Sequence, residues 1–361
     1  MTPRLTLVLT MIVKDGARAI RRALDSAAPY VDRMIVVDTG SGDGTPEIAR
    51  DAGAEVHHFP WVDDFSSARN HALDLADADW NLVLDSDEWI VHGGTSLAGL
   101  RHDHRRYVGS ARCENIEDLT TGQITYAVNT IRILPRGVRY RFRIHEQPWH
   151  DLKAWPSPLV IAHDGYEPTL LEGKSGRNRI LLEKQLQDTP DEPYYSFRYA
   201  EELRTLGEYD TAIPHFERGY RHGDPEAPWR HGLLLGYLGC LADAGRFTEA
   251  LALAHAEMER WSRSPDLFFT LGNMLLDYSL AHPDKAAAHL PLIEASFRRC
   301  LEIGDRPELD NSLIGHGSFL AAHNLHAYYE SIGDQDQAAR AAALEVELRA
   351  RAALTYGRAH Q

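Results

Sequence analysis

Unbroken apolar runs alternate with stretches of helical periodicity over the first 90 residues. "LTLVLTMIV" (5–13) reads as a buried strand, "ARAIRRALDSA" (17–27) as an amphipathic helix, and "RMIVVDTG" (33–40) as a second buried strand. In "TPEIARDAG" Thr45 caps a helix, Pro46 opens it and Gly53 stops it. A short strand "AEVHHF", a helix "SSARNHALDLA" and a strand "WNLVL" (80–84) complete the series. Apolar strands separated by helices predict a parallel sheet covered on both faces, with ligands beyond the carboxyl ends of its strands. Asp38 and Asp85 to Asp87 fall at those ends.

From about residue 107 the texture becomes that of a mixed or antiparallel extension: "YVGSARCEN", "GQITYAVNTIRILPRG", "VRYRFRIHEQPWH" and "SPLVIAHDGY". Beyond Leu170 the chain is helical and repetitive. Leu206-Gly207-Glu208-Tyr209 aligns with Ala244-Gly245-Arg246-Phe247, and Ala212 with Ala250; Gly333 holds the same place in a third unit. Helix, glycine turn and alanine in the second helix form the tetratricopeptide pattern, and a further repeat is expected with a longer loop around Pro283. The alternative is an unrelated helical bundle. The expected division is 1–170 for the sheet domain and 171–361 for the helices.

Charge and cysteine content narrow the function classes. Lys+Arg 38 against Asp+Glu 53 gives a net charge of -15, which disfavours nucleic acid and anionic membrane as partners. The three cysteines are scattered, so a reducing, cytoplasmic setting is expected rather than a disulfide framework. The apolar start is short, interrupted by Thr6 and Thr10, and lacks a cleavage site, and no run is long enough for a membrane span.

Three tempting motifs fail. "GKSGRN" has Pro168 where a phosphate-cradling loop needs its first glycine. In "HEQPWH" the residue four after His145 is Trp149 and Pro148 breaks the helix, so no two-histidine zinc face forms. "TGSGDG" follows the second strand rather than the first and reads as a turn. What remains is Asp85-Ser86-Asp87-Glu88, three carboxylates whose repulsion calls for a compensating cation.

"LTMIVKDG", "MIVVDTGSGDGT", "DDFSSARNHAL" and "DWNLVLDSDEW", in this order and spacing, resemble glycosyltransferase family 2. They are most similar to its bacterial subgroup with a tetratricopeptide tail, which includes bacteriocin-glycosylating enzymes. "RIHEQPWH" and "IAHDGY" resemble that subgroup's downstream motifs; Asp15 departs from its usual Asn-Glu after the lysine. The resemblance implies an α/β, GT-A, Rossmann-like mixed-sheet domain followed by an all-α repeat domain. It implies a metal-dependent, inverting transfer from a nucleotide sugar, a uridine diphosphate sugar, to a peptide, protein or other acceptor. Manganese or magnesium would stabilise the departing diphosphate as a Lewis acid bound by carboxylate oxygens.

By the same resemblance Asp87 and Asp85 would hold the metal, with Asp85 also facing the ribose, and Asp38 would accept from the base. Thr10, Ile12, Lys14 and Ser86 would line the nucleotide, Lys14 near phosphate. Arg69 would reach the diphosphate or base; its alternative is a surface ion pair with Asp63 or Asp64. His163 would complete the metal shell or serve as a structural histidine. Glu146 is the candidate general base, positioned by His145, unless it pairs with Arg141 or Arg143; Asp164 and Glu88 are its rivals. The competing function class is a catalytically inactive tetratricopeptide scaffold. The joint presence of Asp38, Asp85, Asp87, Glu146 and His163 argues against it.

Overall fold

The computed structural model describes residues 3–118, 123–164, 168–284 and 286–356. The chain divides into two compact units, passing from one to the other after Asp188.

In the first unit the elements run β1 (Leu7–Val13), α1 (Ile20–Ala27), β2 (Arg33–Asp38), α2 (Thr45–Asp51), β3 (Glu55–His58), α3 (Phe65–Ala76) and β4 (Trp80–Val83). Then come β5 (Glu88–His92), a 3-10 turn, β6 (Val108–Asp118), β7 (Gln123–Pro135), β8 (Arg139–Arg141), β9 (Gln147–Trp149), β10 (Ala154–His163) and α4 (Pro168–Asp188). Among the described residues, eight strands form one sheet in the order β3-β2-β1-β4-β7-β6-β10-β5, and β8 and β9 form a separate hairpin. β1 is parallel to β2 and β4, and β2 to β3, whereas β7 runs antiparallel to β4.

Side-chain alternation along β1 explains why both faces are covered. Leu7, Leu9, Met11 and Val13 pack with Ile20, Ala23, Leu24 and Ala27 of α1. Val8 and Ile12 pack on the other face with Ile35, Val37 and the small residues Ala68, Ala72 and Ala76 of α3. The parallel strands therefore deliver their carboxyl ends to one edge. β10 reaches the same edge, because His163 at its end stands opposite Glu88 at the start of β5.

Helix α4 belongs to this unit, so the border falls later than the expected 170. The cause is visible in its contacts: Arg143 donates its amide to Gln185 (2.8 Å) and pairs with Asp188 (2.6 Å), and Lys184 pairs with Asp63 (2.5 Å).

The second unit stacks helices in successive pairs: α5 (Pro193–Thr205) with α6 (Tyr209–His222), α7 (Arg230–Asp243) with α8 (Phe247–Glu257), α9 (Pro265–Ala281) with α10 (Ala286–Ile303), and α11 (Phe319–Ile332) with α12 (Gln335–Tyr356). Gly207, Gly245 and Gly333 turn the chain at φ 77, 72 and 79 degrees, where a side chain would be strained. Ala212 and Ala250 are fully buried where the second helix meets the first. The turn at Pro283 is short; the long connection lies instead between α10 and α11. There Asp305 accepts from the Gly315 and Gly317 amides (3.0 and 2.9 Å) and the Ser318 hydroxyl (2.7 Å). Among the described residues no helix is long and apolar enough to cross a membrane. Cys113, Cys240 and Cys300 are buried free thiols.

Asn70 fixes the hairpin to the sheet unit: its amide donates to the Tyr140 carbonyl (3.0 Å) and its oxygen accepts from the Tyr140 N–H (2.8 Å). Asn70→Ala is expected to cost about 1–3 kcal/mol by leaving both backbone groups unpaired. Chemical denaturation checks it, and an unchanged first-unit transition would contradict the assignment.

Candidate active site

Asp85, Ser86 and Asp87 form the turn between β4 and β5, with Glu88 opening β5. Arg69 comes to them from α3, whose first turn is capped by Asp64 accepting from the Ser67 amide (3.0 Å). One turn into that helix, Arg69 is only 8% exposed, yet it carries a full charge. Its Nη2 donates to Asp85 (2.7 Å), its Nε donates to Glu146 (2.5 Å), and its guanidinium lies 5.4 Å from the Tyr140 ring centre. A second buried guanidinium, Arg132 on β7, donates to Glu88 and reaches the other Asp85 oxygen (3.4 Å). The remaining Glu88 oxygen accepts from the Asp85 amide (3.1 Å).

Two arginines thus stand among Asp85, Glu88 and Glu146, so two of the three carboxylates in the 85–88 stretch are offset from inside the protein. Burial pushes the Asp85 carboxyl up, but Arg69 and Arg132 outweigh it and hold the group well below the usual carboxylate range. Burial raises the Glu88 carboxyl and the Asp85 charge adds to this, against the pull of Arg132. Burial works against the charge on Arg69 and Arg132, yet their carboxylate neighbours hold both protonated more firmly than a free guanidinium.

Asp87 has a different partner. His163 Nδ1 lies 2.6 Å from the Asn115 side-chain oxygen, and His163 Nε2 lies 3.5 Å from Asp87 Oδ2. With Nδ1–H donating to Asn115, Nε2 faces a carboxylate oxygen, and either a proton or a metal cation between them offsets the carboxylate charge. An oriented imidazole whose other nitrogen donates to a carbonyl oxygen is also the usual outer support of a metal ligand. Burial lowers the histidine's proton affinity, but the neighbouring Asp87 carboxylate prevails and raises it. The pair suits a divalent ion whose other ligands are phosphate oxygens and water. Asp85, expected beside Asp87 as a ligand, is turned instead to the two arginines. Among the described residues no three His, Cys, Asp or Glu side chains converge on one point.

The other sequence candidates divide. Thr10 and Ile12 are 3% and 9% exposed, beneath α3, so they belong to the core and do not line an open site. Lys14 is exposed just beyond β1, and Ser86 is half-buried against Gly16, where an added Cβ would lie 3.0 Å from the serine oxygen. Asp38 is buried and accepts from the amides of Gly40 (3.1 Å) and Ser41 (3.2 Å). Asp15 bridges two loops at φ 52 degrees, accepting from the Gly42 amide (2.8 Å) and donating its own to the Ser41 hydroxyl (2.8 Å).

Arg69 forms no ion pair with Asp63 or Asp64, because Lys184 takes the first and the helix cap takes the second. Nor does Glu146 pair with Arg141 or Arg143: Arg141 lies over the Trp149 ring at 4.2 Å and Arg143 binds Asp188. Among the described residues, the hydrogen bonding of Glu146 is to Arg69. His145 and Phe142 hold left-handed backbone conformations, φ 49 and 80 degrees, in the loop that presents Glu146. The Ser66 hydroxyl and Phe65 amide on α3 anchor that loop through the carbonyls of Phe142 (2.5 Å) and Arg143 (2.8 Å). The rival base Asp164 is occupied by Arg18 and Arg22. Arg132 and Asn115 escaped the sequence reading. The available signal was a lone charged residue inside the apolar alternation of "TIRIL".

Residues 10–96 match the family described as Glycosyl transferase family 2. A TPR repeat-containing protein of Synechococcus elongatus is 33% identical over 310 residues, covering 78% of this chain and 75% of that protein. The chain belongs to glycosyltransferase family 2. The prophage-derived glycosyltransferase SunS of Bacillus subtilis is 23% identical over 222 residues, 59% of this chain and 53% of that protein. Among solved structures, MamA of Desulfovibrio magneticus RS-1 superposes with TM-score 0.39 at 14% identity, covering 50% of this chain and 89% of that one. This glycosyltransferase uses a nucleotide-sugar donor.

Removing one member of a buried ion network strands the others. Arg132→Met in this glycosyltransferase is expected to lose about 3–5 kcal/mol, because Glu88 and Asp85 would face each other without it. Adding Glu88→Gln should restore part of the loss. Urea denaturation measures both, and wild-type stability of the single variant would refute the compensating role.

Proposed function

We propose that the enzyme transfers a sugar from a uridine diphosphate sugar to a polypeptide acceptor, with inversion at the anomeric carbon and dependence on a divalent cation. The observation that carries this reading is the Asp87–His163 pair, oriented by Asn115 and standing beside the Arg69-held carboxylates. Asp87 and His163 would hold manganese or magnesium, which supplies Lewis-acid stabilisation of the charge developing on the departing diphosphate. Asp38 suits a base that offers a ring N–H, as uracil does, while Lys14 at the exposed end of β1 suits phosphate.

Glu146 takes the acceptor's proton in this scheme. Arg69 occupies one of its oxygens and fixes the direction of the other. The competing carboxylates are more fully engaged: Glu88 through both oxygens, Asp164 through two arginines. His145 contributes the left-handed turn that aims Glu146. Acceptor recognition is assigned to the helical unit, whose repeats belong to a class that builds concave peptide-holding surfaces.

Isothermal calorimetry tests the donor side. Wild type should bind uridine diphosphate more tightly with manganese, and Asp87→Ala and His163→Ala should each lose that metal-dependent gain. Unchanged gain in both variants would remove the pair from the metal site. For the base, Glu146→Gln should keep nucleotide affinity and lower turnover on a hydroxyl acceptor by about two to four orders of magnitude. Near-normal turnover would move the base elsewhere.

A further inference from the structure

We propose that Asp164 is a positioning residue that sets the distance between Asp87 and His163, through a clamp joining the end of β10, the start of β5 and the helix α1. This rests on the metal-holding role proposed above for that pair.

The clamp is built from two kinds of bond on one residue. Through its backbone, Asp164 donates its amide to the Asp87 carbonyl (3.3 Å) while being covalently next to His163. Any displacement of Asp164 therefore moves both members of the pair. Through its side chain, only 4% exposed, it accepts two parallel bonds from Arg18 (2.9 Å each) and a third from Arg22 (2.5 Å). The Arg22 guanidinium is itself fixed, 3.5 Å from the centre of the Trp89 ring on β5. A planar fork on a carboxylate restricts angle as well as distance, which apolar packing at this point would not do.

The same bonds argue against proton abstraction by Asp164. Three N–H donors on two buried oxygens leave little access for an acceptor hydroxyl. The arginines come from the first turns of the β1–α1 segment. Gly16 lies in that segment too, close against Ser86. One residue thus ties the loop after β1, through its carboxylate, to the turn after β4, through its amide, at the end of β10.

The test uses full-length protein, with manganese and uridine diphosphate as probes. Asp164→Asn keeps the size but cannot serve two guanidinium forks. Manganese affinity in the presence of uridine diphosphate, read by electron paramagnetic resonance, should weaken by about 10–100-fold. The shape of the pH–rate profile should not change, because no titrating catalytic group is removed. Arg22→Lys keeps the charge and loses the stacked fork, and it should weaken manganese in the same direction. It serves as the deciding variant where Asp164→Asn does not fold. Manganese binding that Asp87→Ala abolishes, but Asp164→Asn or Arg22→Lys leaves intact, overturns the clamp and spares the underlying reading. So does loss of the acidic, low-pH limb of the profile in Asp164→Asn, which would make Asp164 a proton acceptor. No manganese binding by wild type removes the role of the pair, and of Asp164 with it.

Discussion

Burying a guanidinium is expensive, and Arg69 is buried between Asp85 on the turn after β4 and Glu146 on the hairpin loop. That placement is tolerable because Asp85 and Glu146 both accept from the guanidinium, at 2.7 and 2.5 Å. It therefore fixes the relative position of three separate elements: α3, the end of β4 and the loop between β8 and β9. The small residues of α3 make it possible. Ala68 and Ala72 let the helix lie close on β1, and the side chain between them is directed at the sheet edge. Asn70, on the next position, secures the hairpin from the other side.

Much of this frame was legible in the sequence. Unbroken apolar runs specify buried parallel strands because each residue must face a covering helix, and β1 follows that rule at every position. The repeat pattern was legible for a similar reason: a left-handed turn needs glycine and a close helix crossing needs alanine, so Gly207, Gly245, Ala212 and Ala250 mark themselves. The border was harder. Helix α4 has the same helical texture as the repeats after it, and its attachment to the sheet unit depends on Arg143 meeting Gln185 and Asp188, a tertiary fact.

Site chemistry divided along the same line. Residue types at strand ends could be named, but their partners could not, since pairing across the sheet depends on register. Arg132 lies on a strand far along the chain from Asp85, and only the β4–β7 adjacency brings it there. Thr10 and Ile12 illustrate the converse. Motif position suggested an open site, whereas strand parity sends both side chains under α3. Glu146 and Arg69 were both singled out, yet each was offered the wrong ion-pair partners, because local charges compete poorly with a buried one.

The arginine–carboxylate network also separates folding from loading. In a site where a metal ion supplies the only counter-charge, withdrawing that ion leaves bare carboxylates and loosens the surrounding loops. Here Arg69 and Arg132 already offset Asp85 and Glu88, and the histidine facing Asp87 is inclined to take up a proton. On the metal-dependent reading proposed above, chelation would idle the enzyme without unfolding it.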